Sequence, residues 1–188
     1  MRYLILVKHS LPEMRSDVPA RAWRLSEAGR RRCTPLAERL HAYCPATIVS
    51  SREPKAAETG ALLAAALGNT AQQADNLHEH ERPAAGFLPA GQFEAAVEAF
   101  FAHPEELRFG SETAAQAHER FHAAVEREVA AAPGNVIIVA HGTVISLLVA
   151  RCAGLAPFPL WQRLGLPSYV VLALPTYELI SIADSIKE

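Results

Sequence analysis

The residues from Tyr3 to Val7 form an unbroken apolar run rich in β-favouring side chains. They predict a strand over 2–7 covered on both faces, as in a parallel sheet. Residues 11–24 hold two prolines and no period, and read as loop. Ser26 then has the position of an N-cap with Glu27 in the first turn, predicting a helix to about Tyr43 that Pro35 should kink. A short strand follows over 47–50. Pro54 opens a helix that Gly68 stops. A weak third strand spans 71–77, and the proline- and glycine-bearing stretch 78–91 is irregular. Helices are predicted over 92–102 and 111–132, the second capped by Ser111. After a Gly134-Asn135 turn come a buried strand over 136–140, a helix reaching about Cys152, a helical turn at 160–164, and strands at 169–174 and 178–183. The three-residue link between the last two is too short for a parallel crossover, so as neighbours they are antiparallel.

Strands alternating with helices predict an α/β fold. It is a three-layer α/β/α sandwich with a mostly parallel sheet and an antiparallel element near the C-terminus. The length of 188 residues suits one domain over 1–188. Half the residues are hydrophobic, which excludes global disorder. The net charge of −2 removes the basic field that nucleic-acid binding uses, so no nucleic-acid partner is expected. Cys33, Cys44 and Cys152 are an odd number without CxxC spacing, against a disulfide framework or cysteine-based zinc site. The first apolar run falls short of the roughly 7–15 residues of a signal-peptide core. The run at 136–150 carries His141 and falls short of the roughly 18 apolar residues of a spanning helix. These features predict a cytoplasmic protein with no membrane partner.

Sheets of this kind bind ligands at the carboxyl ends of their strands. The first such end reads Lys8-His9-Ser10. The second reads Ser50-Ser51-Arg52-Glu53-Pro54-Lys55, and the central one His141-Gly142-Thr143. Two histidines, two lysines and several hydroxyls would share one sheet edge. Gly142 would admit close backbone approach, and the helix N-terminus beyond it offers free N–H groups to an anion. Taken singly, a lysine after a strand reads as a solvated end and Ser50-Ser51 as ordinary loop. Three such ends together suggest a phosphate site.

These residues resemble the histidine phosphatase, or phosphoglycerate mutase-like, superfamily. Leu6 to Ser10 stands where the family has Arg-His-Gly. Residues 50–59 stand where it has Ser-Ser, three variable residues, Arg-Ala and a later Thr, here Thr59. Leu25 to Gly29 is similar to a family helix start. Gly110 to Thr113 with Arg120 resembles its later Glu-Ser…Arg helix, and 139–145 its second histidine motif. Two departures stand out: both phosphate-gripping arginines are lysines, Lys8 and Lys55, and the motif glycine is Ser10. A lysine gives a point charge without a planar fork.

The resemblance implies a metal-independent phosphomonoester hydrolase without cofactor. His9 would be the nucleophile that becomes a phosphohistidine, with Lys8, Lys55, Ser10, Gly142, Thr143 and His141 around the phosphoryl group. The family's acid lies after the third strand. Its usual spacing selects Glu79, with Glu81 as runner-up, and Arg82 is a candidate for the planar contact. A metal at His78 and His80 lacks the usual three-ligand spacing. A lid-like insertion at about 78–110 would cover the site, with Phe87, Phe93, Phe100 and Phe101 as packing or substrate contacts. The implied partner is a small phosphorylated substrate or a phosphoprotein. Two alternatives stay open: a non-catalytic phosphate sensor, which the lysine replacements favour, and a phosphoglycerate mutase, which the chain length disfavours. Oligomeric state is not legible.

Overall fold

The computed structural model describes residues 1–82 and 88–187. Six strands, β1 (Arg2–Lys8), β2 (Ala46–Ser51), β3 (Ala71–Ala74), β4 (Asn135–Ala140), β5 (Ser168–Leu174) and β6 (Glu178–Ala183), make one sheet ordered β3-β2-β4-β1-β5-β6. The first four are mutually parallel, and β5 runs antiparallel to both β1 and β6. The short link after β5 makes the antiparallel pairing with β6 the expected one.

The apolar runs alternate between two cores because successive strand residues face opposite sides. Leu4, Leu6, Val136 and Ile138 join one core with Phe121, Val125, Val144 and Leu148. Those four come from helices α4 (Ala114–Ala131) and α5 (Gly142–Ala153). Ile5, Val7, Ile137 and Val139 join the other with Leu36, Leu40, Ala56 and Leu63. Those come from α1 (Glu27–Leu40) and α2 (Pro54–Ala66). Three layers result, as the alternation of elements predicts. A third cluster joins α3 (Ala90–Ala102) to α4, α5 and α6 (Pro157–Arg163), with Phe100 and Phe101 buried in it.

Local chemistry sets the element ends. The Ser26 hydroxyl accepts from the Gly29 amide and donates to the Leu11 carbonyl, starting α1. Any Cβ on Gly29 would meet the Leu11 carbonyl oxygen at 2.0 Å, so only glycine lets α1 approach that loop. Pro35 lies inside α1 without ending it, and the last predicted turn tightens to a 3-10 turn at His41–Tyr43. The strand predicted over 71–77 stops at Ala74, because Asn76 turns into the left-handed region.

The helix expected from Ser111 starts instead at Ala114 behind Thr113. Thr113 has Gln116 three residues on, and the two exchange side-chain-to-backbone bonds of 3.1 and 2.9 Å. Ser111 has Ala114 there and gains no such partner. Its hydroxyl donates to the Glu81 carboxylate instead.

Candidate active site

β1, β4 and β2 are neighbours in register, with Lys8 beside Ala140 and Ser50 beside Val139. Their carboxyl ends therefore deliver Lys8-His9, His141 and Ser51 to one edge. The His9 amide donates to the Ala140 carbonyl at 3.0 Å, extending the ladder past Lys8. The His9 and His141 rings lie 5.3 Å apart between centroids and are tilted at 63°. Both are buried.

The tautomer of His9 follows from its partner. Its Nδ1 lies 2.8 Å from the Ser10 carbonyl oxygen, which can only accept, so Nδ1 carries the hydrogen and Nε2 keeps a lone pair. Burial, followed by the nearby His141 and Lys55 charges, holds His9 well below the usual histidine range. It is neutral at pH 7, as a nitrogen nucleophile must be.

Ser10 anchors that histidine. Its hydroxyl donates to the Gly29 carbonyl at 2.7 Å and its amide to the Thr59 hydroxyl at 3.0 Å. Both of its donors are thus engaged within the protein, tying the end of β1 to α1 and α2. Thr59 in turn donates to the Lys55 carbonyl.

Lys55 is buried and Lys8 is partly buried. Lys8 Nζ donates to the Leu164 carbonyl at 2.5 Å, and burial lowers its pKa to about 8 against the pull of Glu79. Lys55 is buried at the start of α2. Its Nζ donates to the Ala20 carbonyl at 2.8 Å and to Glu53 Oε2 at 2.5 Å.

His141 Nε2 lies 3.0 Å from the Ser51 hydroxyl and 3.6 Å from Glu53 Oε1. Its buried Nδ1 has no partner among the described residues. Burial, then Lys55, holds its pKa well down despite Glu79.

The segment after β3 supplies Glu79. Its Oε2 accepts from the Thr143 amide at 3.2 Å and lies 3.6 Å from the Arg82 guanidinium, and its Oε1 accepts from the His80 amide. Burial alone would raise its pKa. Arg82, His141 and the two amides outweigh that and bring it to about 2. Arg82 also lies over the Phe93 ring at 5.0 Å.

Glu81 goes elsewhere. Its carboxylate faces Ser111 and His78 and is half exposed, whereas Glu79 reaches the edge. Gly142 and Thr143 begin α5 beside Lys8 and Glu79. His80 stacks on Phe100 at 4.0 Å, and no group of three or more metal-ligating side chains forms among the described residues. Of the four phenylalanines singled out in sequence, Phe100 and Phe101 are core, Phe93 faces Arg82, and Phe87 lies outside the described residues.

Glu53 is the residue that sequence reasoning passed over. It accepts from Lys55 and from the Glu79 amide and lies beside His141, so it touches three of the groups expected to act. The signal was its place two residues before Lys55, at the start of a helix where its side chain makes no cap bond.

The sequence profile of the histidine phosphatase superfamily (branch 1) matches residues 4–177. The chain belongs to that superfamily. No curated protein matches it in sequence. Among solved structures, the superfamily fold is shared with a mycobacterial glucosyl-3-phosphoglycerate phosphatase bound to VO3, at 24% identity and TM-score 0.75. That likeness covers 98% of this chain and 100% of the other. Bacillus stearothermophilus YhfR matches at 21% identity and TM-score 0.74, covering 98% of each chain. The phosphoserine phosphatase of Entamoeba histolytica matches at 14% identity and TM-score 0.75, again over 98% of each. No helix among the described residues is long and apolar enough to cross a membrane.

Proposed function

We propose that this histidine phosphatase superfamily member hydrolyses small phosphomonoesters without a metal, through a phosphohistidine on His9. The observation that carries this is the neutral His9, its Nδ1 tied to the Ser10 carbonyl and its Nε2 lone pair free, set against His141. In the first step Nε2 forms a bond to phosphorus, and the bond to the leaving oxygen breaks. Lys8, Lys55, His141 and the amides at the start of α5 hold the charge of the phosphoryl oxygens. Glu79 gives the leaving oxygen its proton. In the second step Glu79 takes a proton from water, which attacks phosphorus and restores the free imidazole.

With its pKa at about 2, Glu79 is ionised at pH 7 beside Arg82, so it must acquire a proton when substrate binds. A phosphate brings negative charge beside it and offers Arg82 a better partner. Arg82 turning from Glu79 to phosphoryl oxygens would remove the strongest charge holding the carboxyl down. Arg82 would then supply the planar contact that Lys8 and Lys55 lack. Ser10 enters as the residue that fixes His9. The described residues 78–82 and 88–110, which bring Glu79, Arg82 and Phe93, serve as the covering wall.

One set of contacts favours the second reading, a phosphate sensor: both lysines already hold protein acceptors, and Glu53 places a carboxylate among the cations. Acid-quench trapping with p-nitrophenyl phosphate separates the two. The wild type should form an acid-labile, base-stable phosphoenzyme, and His9→Ala should fold yet lose both the label and turnover. A wild type that binds phosphate but never labels is a sensor. Activity retained in His9→Ala would end the proposal.

A further inference from the structure

Gly142 leaves a bare point at the start of α5. A Cβ there would lie 3.0 Å from Lys8 Cε, 3.2 Å from Lys8 Nζ and 3.4 Å from Trp161 Nε1, so both side chains close on Gly142. Two nitrogen donors from different elements, β1 and α6, therefore converge on one spot at a helix N-terminus. That spot adjoins His141, whose buried Nδ1 has no partner among the described residues.

Trp161 has no acceptor for its indole N–H among the described residues. Trp23, by contrast, donates to the Arg15 and Val18 carbonyls. Packing alone fixes the Trp161 ring, which stacks on Phe158 at 5.9 Å and 13° and meets Phe93 at 5.9 Å and 54°. An indole nitrogen can only donate. Its direction is set, no acceptor meets it among the described residues, and its neighbour is an ammonium with two hydrogens left after the Leu164 carbonyl takes one.

We propose that Trp161 is a phosphate-contacting residue. Its indole N–H and the Lys8 ammonium hold one non-bridging phosphoryl oxygen over Gly142. The pair does in two residues what a guanidinium fork does in one: Lys8 supplies charge, and Trp161 supplies the fixed donor direction that a flexible ammonium lacks. Gly142 has to be bare because a methyl group would press on Lys8 Cε and Nζ and on Trp161 Nε1, and would push the two donors out of place. The inference rests on the phosphatase reading above and adds a residue outside the histidine motifs.

The test is the 15N-indole NMR spectrum of the full chain titrated with inorganic phosphate, beside calorimetry of the same titration. Two indole peaks are expected, and the one missing in Trp161→Phe is Trp161. That peak should move downfield with the calorimetric affinity while the Trp23 peak stays. Trp161→Phe keeps the ring stack and loses the donor, and should bind phosphate about tenfold or more weakly, as for loss of a hydrogen bond to a charged group. Calorimetric binding with an unmoved Trp161 peak, or wild-type affinity in Trp161→Phe, overturns this inference and leaves the phosphatase reading standing. A Trp161 peak that moves with acetate and not with phosphate also overturns it, since it would assign the pair to a carboxylate. No phosphate binding by either measurement brings down both.

Discussion

Lys8 shows how burial turns a charge-bearing residue into a pH-sensitive one. Its ammonium sits beside β4 and α6 with a carbonyl as its one fixed partner, and burial brings its pKa from 10.5 to about 8. A lowered lysine pKa means that the charge is present below pH 8 and lost above it. His9 is held well below 6.5, so its lone pair is available across the neutral range. The kcat/KM profile, which reports groups of the free enzyme, should therefore be limited on the alkaline side near pH 8. Lys8→Arg keeps its charge to far higher pH and should remove that limb. A limb that stays near pH 8 in Lys8→Arg would assign it to another group. The place of Lys8 at the end of a buried strand already implied a partly desolvated ammonium; that the Leu164 carbonyl would meet it was not legible, since Leu164 lies 156 residues further along. Glu53 was hidden for the same reason: its role rests on Glu79 and His141, which only the fold brings to it.

At the scale of elements, the residues just after β3, 75–82, are held by other parts of the chain. Arg120 of α4 donates to the Asn76, His78 and Glu79 carbonyls, and its guanidinium grips both oxygens of Glu112 at 3.1 and 2.6 Å. Glu112 accepts in turn from the Glu81 amide at 2.9 Å. One largely buried ion pair thus sets the backbone from which Glu79 reaches Thr143. Arg120→Met leaves Glu112 without its cation and several carbonyls without donors. It should cost about 3 kcal/mol of stability, by the scale for breaking a buried pair. The kcat for alkyl phosphates should fall more than for nitrophenyl phosphate, whose leaving group needs little help from Glu79. Equal loss on both substrates would mean that Arg120 supports the fold alone. The spacing of Glu112 and Arg120 was visible in sequence as a family-like pattern, although Glu112 lies just ahead of α4 rather than in it. That the pair faces the loop ahead of it was not, because loop carbonyls carry no side-chain signal. Element ends show the same limit: Ser111 and Thr113 look alike as caps until Gln116 decides between them.

At the scale of the whole molecule, the strand-and-helix pattern was legible because burial on both faces forces continuous apolar runs, which β1 and β4 display plainly. The site edge followed from the sheet, since parallel strands that alternate with helices leave their carboxyl ends free together. That edge carries Lys8, Lys55 and Arg82 against Glu53 and Glu79, with both histidines neutral, so the empty site holds little net charge. On the proposed reading, an arriving oxyanion would gain partners on β1, α2 and α5 at once, and would bind only when all three are assembled. Such a ligand stabilises the folded chain alone, by about 2.7 kcal/mol at a hundred times its Kd. For a chain of this length that corresponds to a rise in Tm of roughly 5–10 °C with saturating vanadate. The rise should survive EDTA, because side chains and backbone amides do the holding. It should be lost mostly in Lys8→Ala and in Lys55→Ala, each of which removes one cation while leaving the sheet intact. A Tm rise that these two variants retain would place the oxyanion away from this edge, and an EDTA-sensitive rise would bring a metal into it.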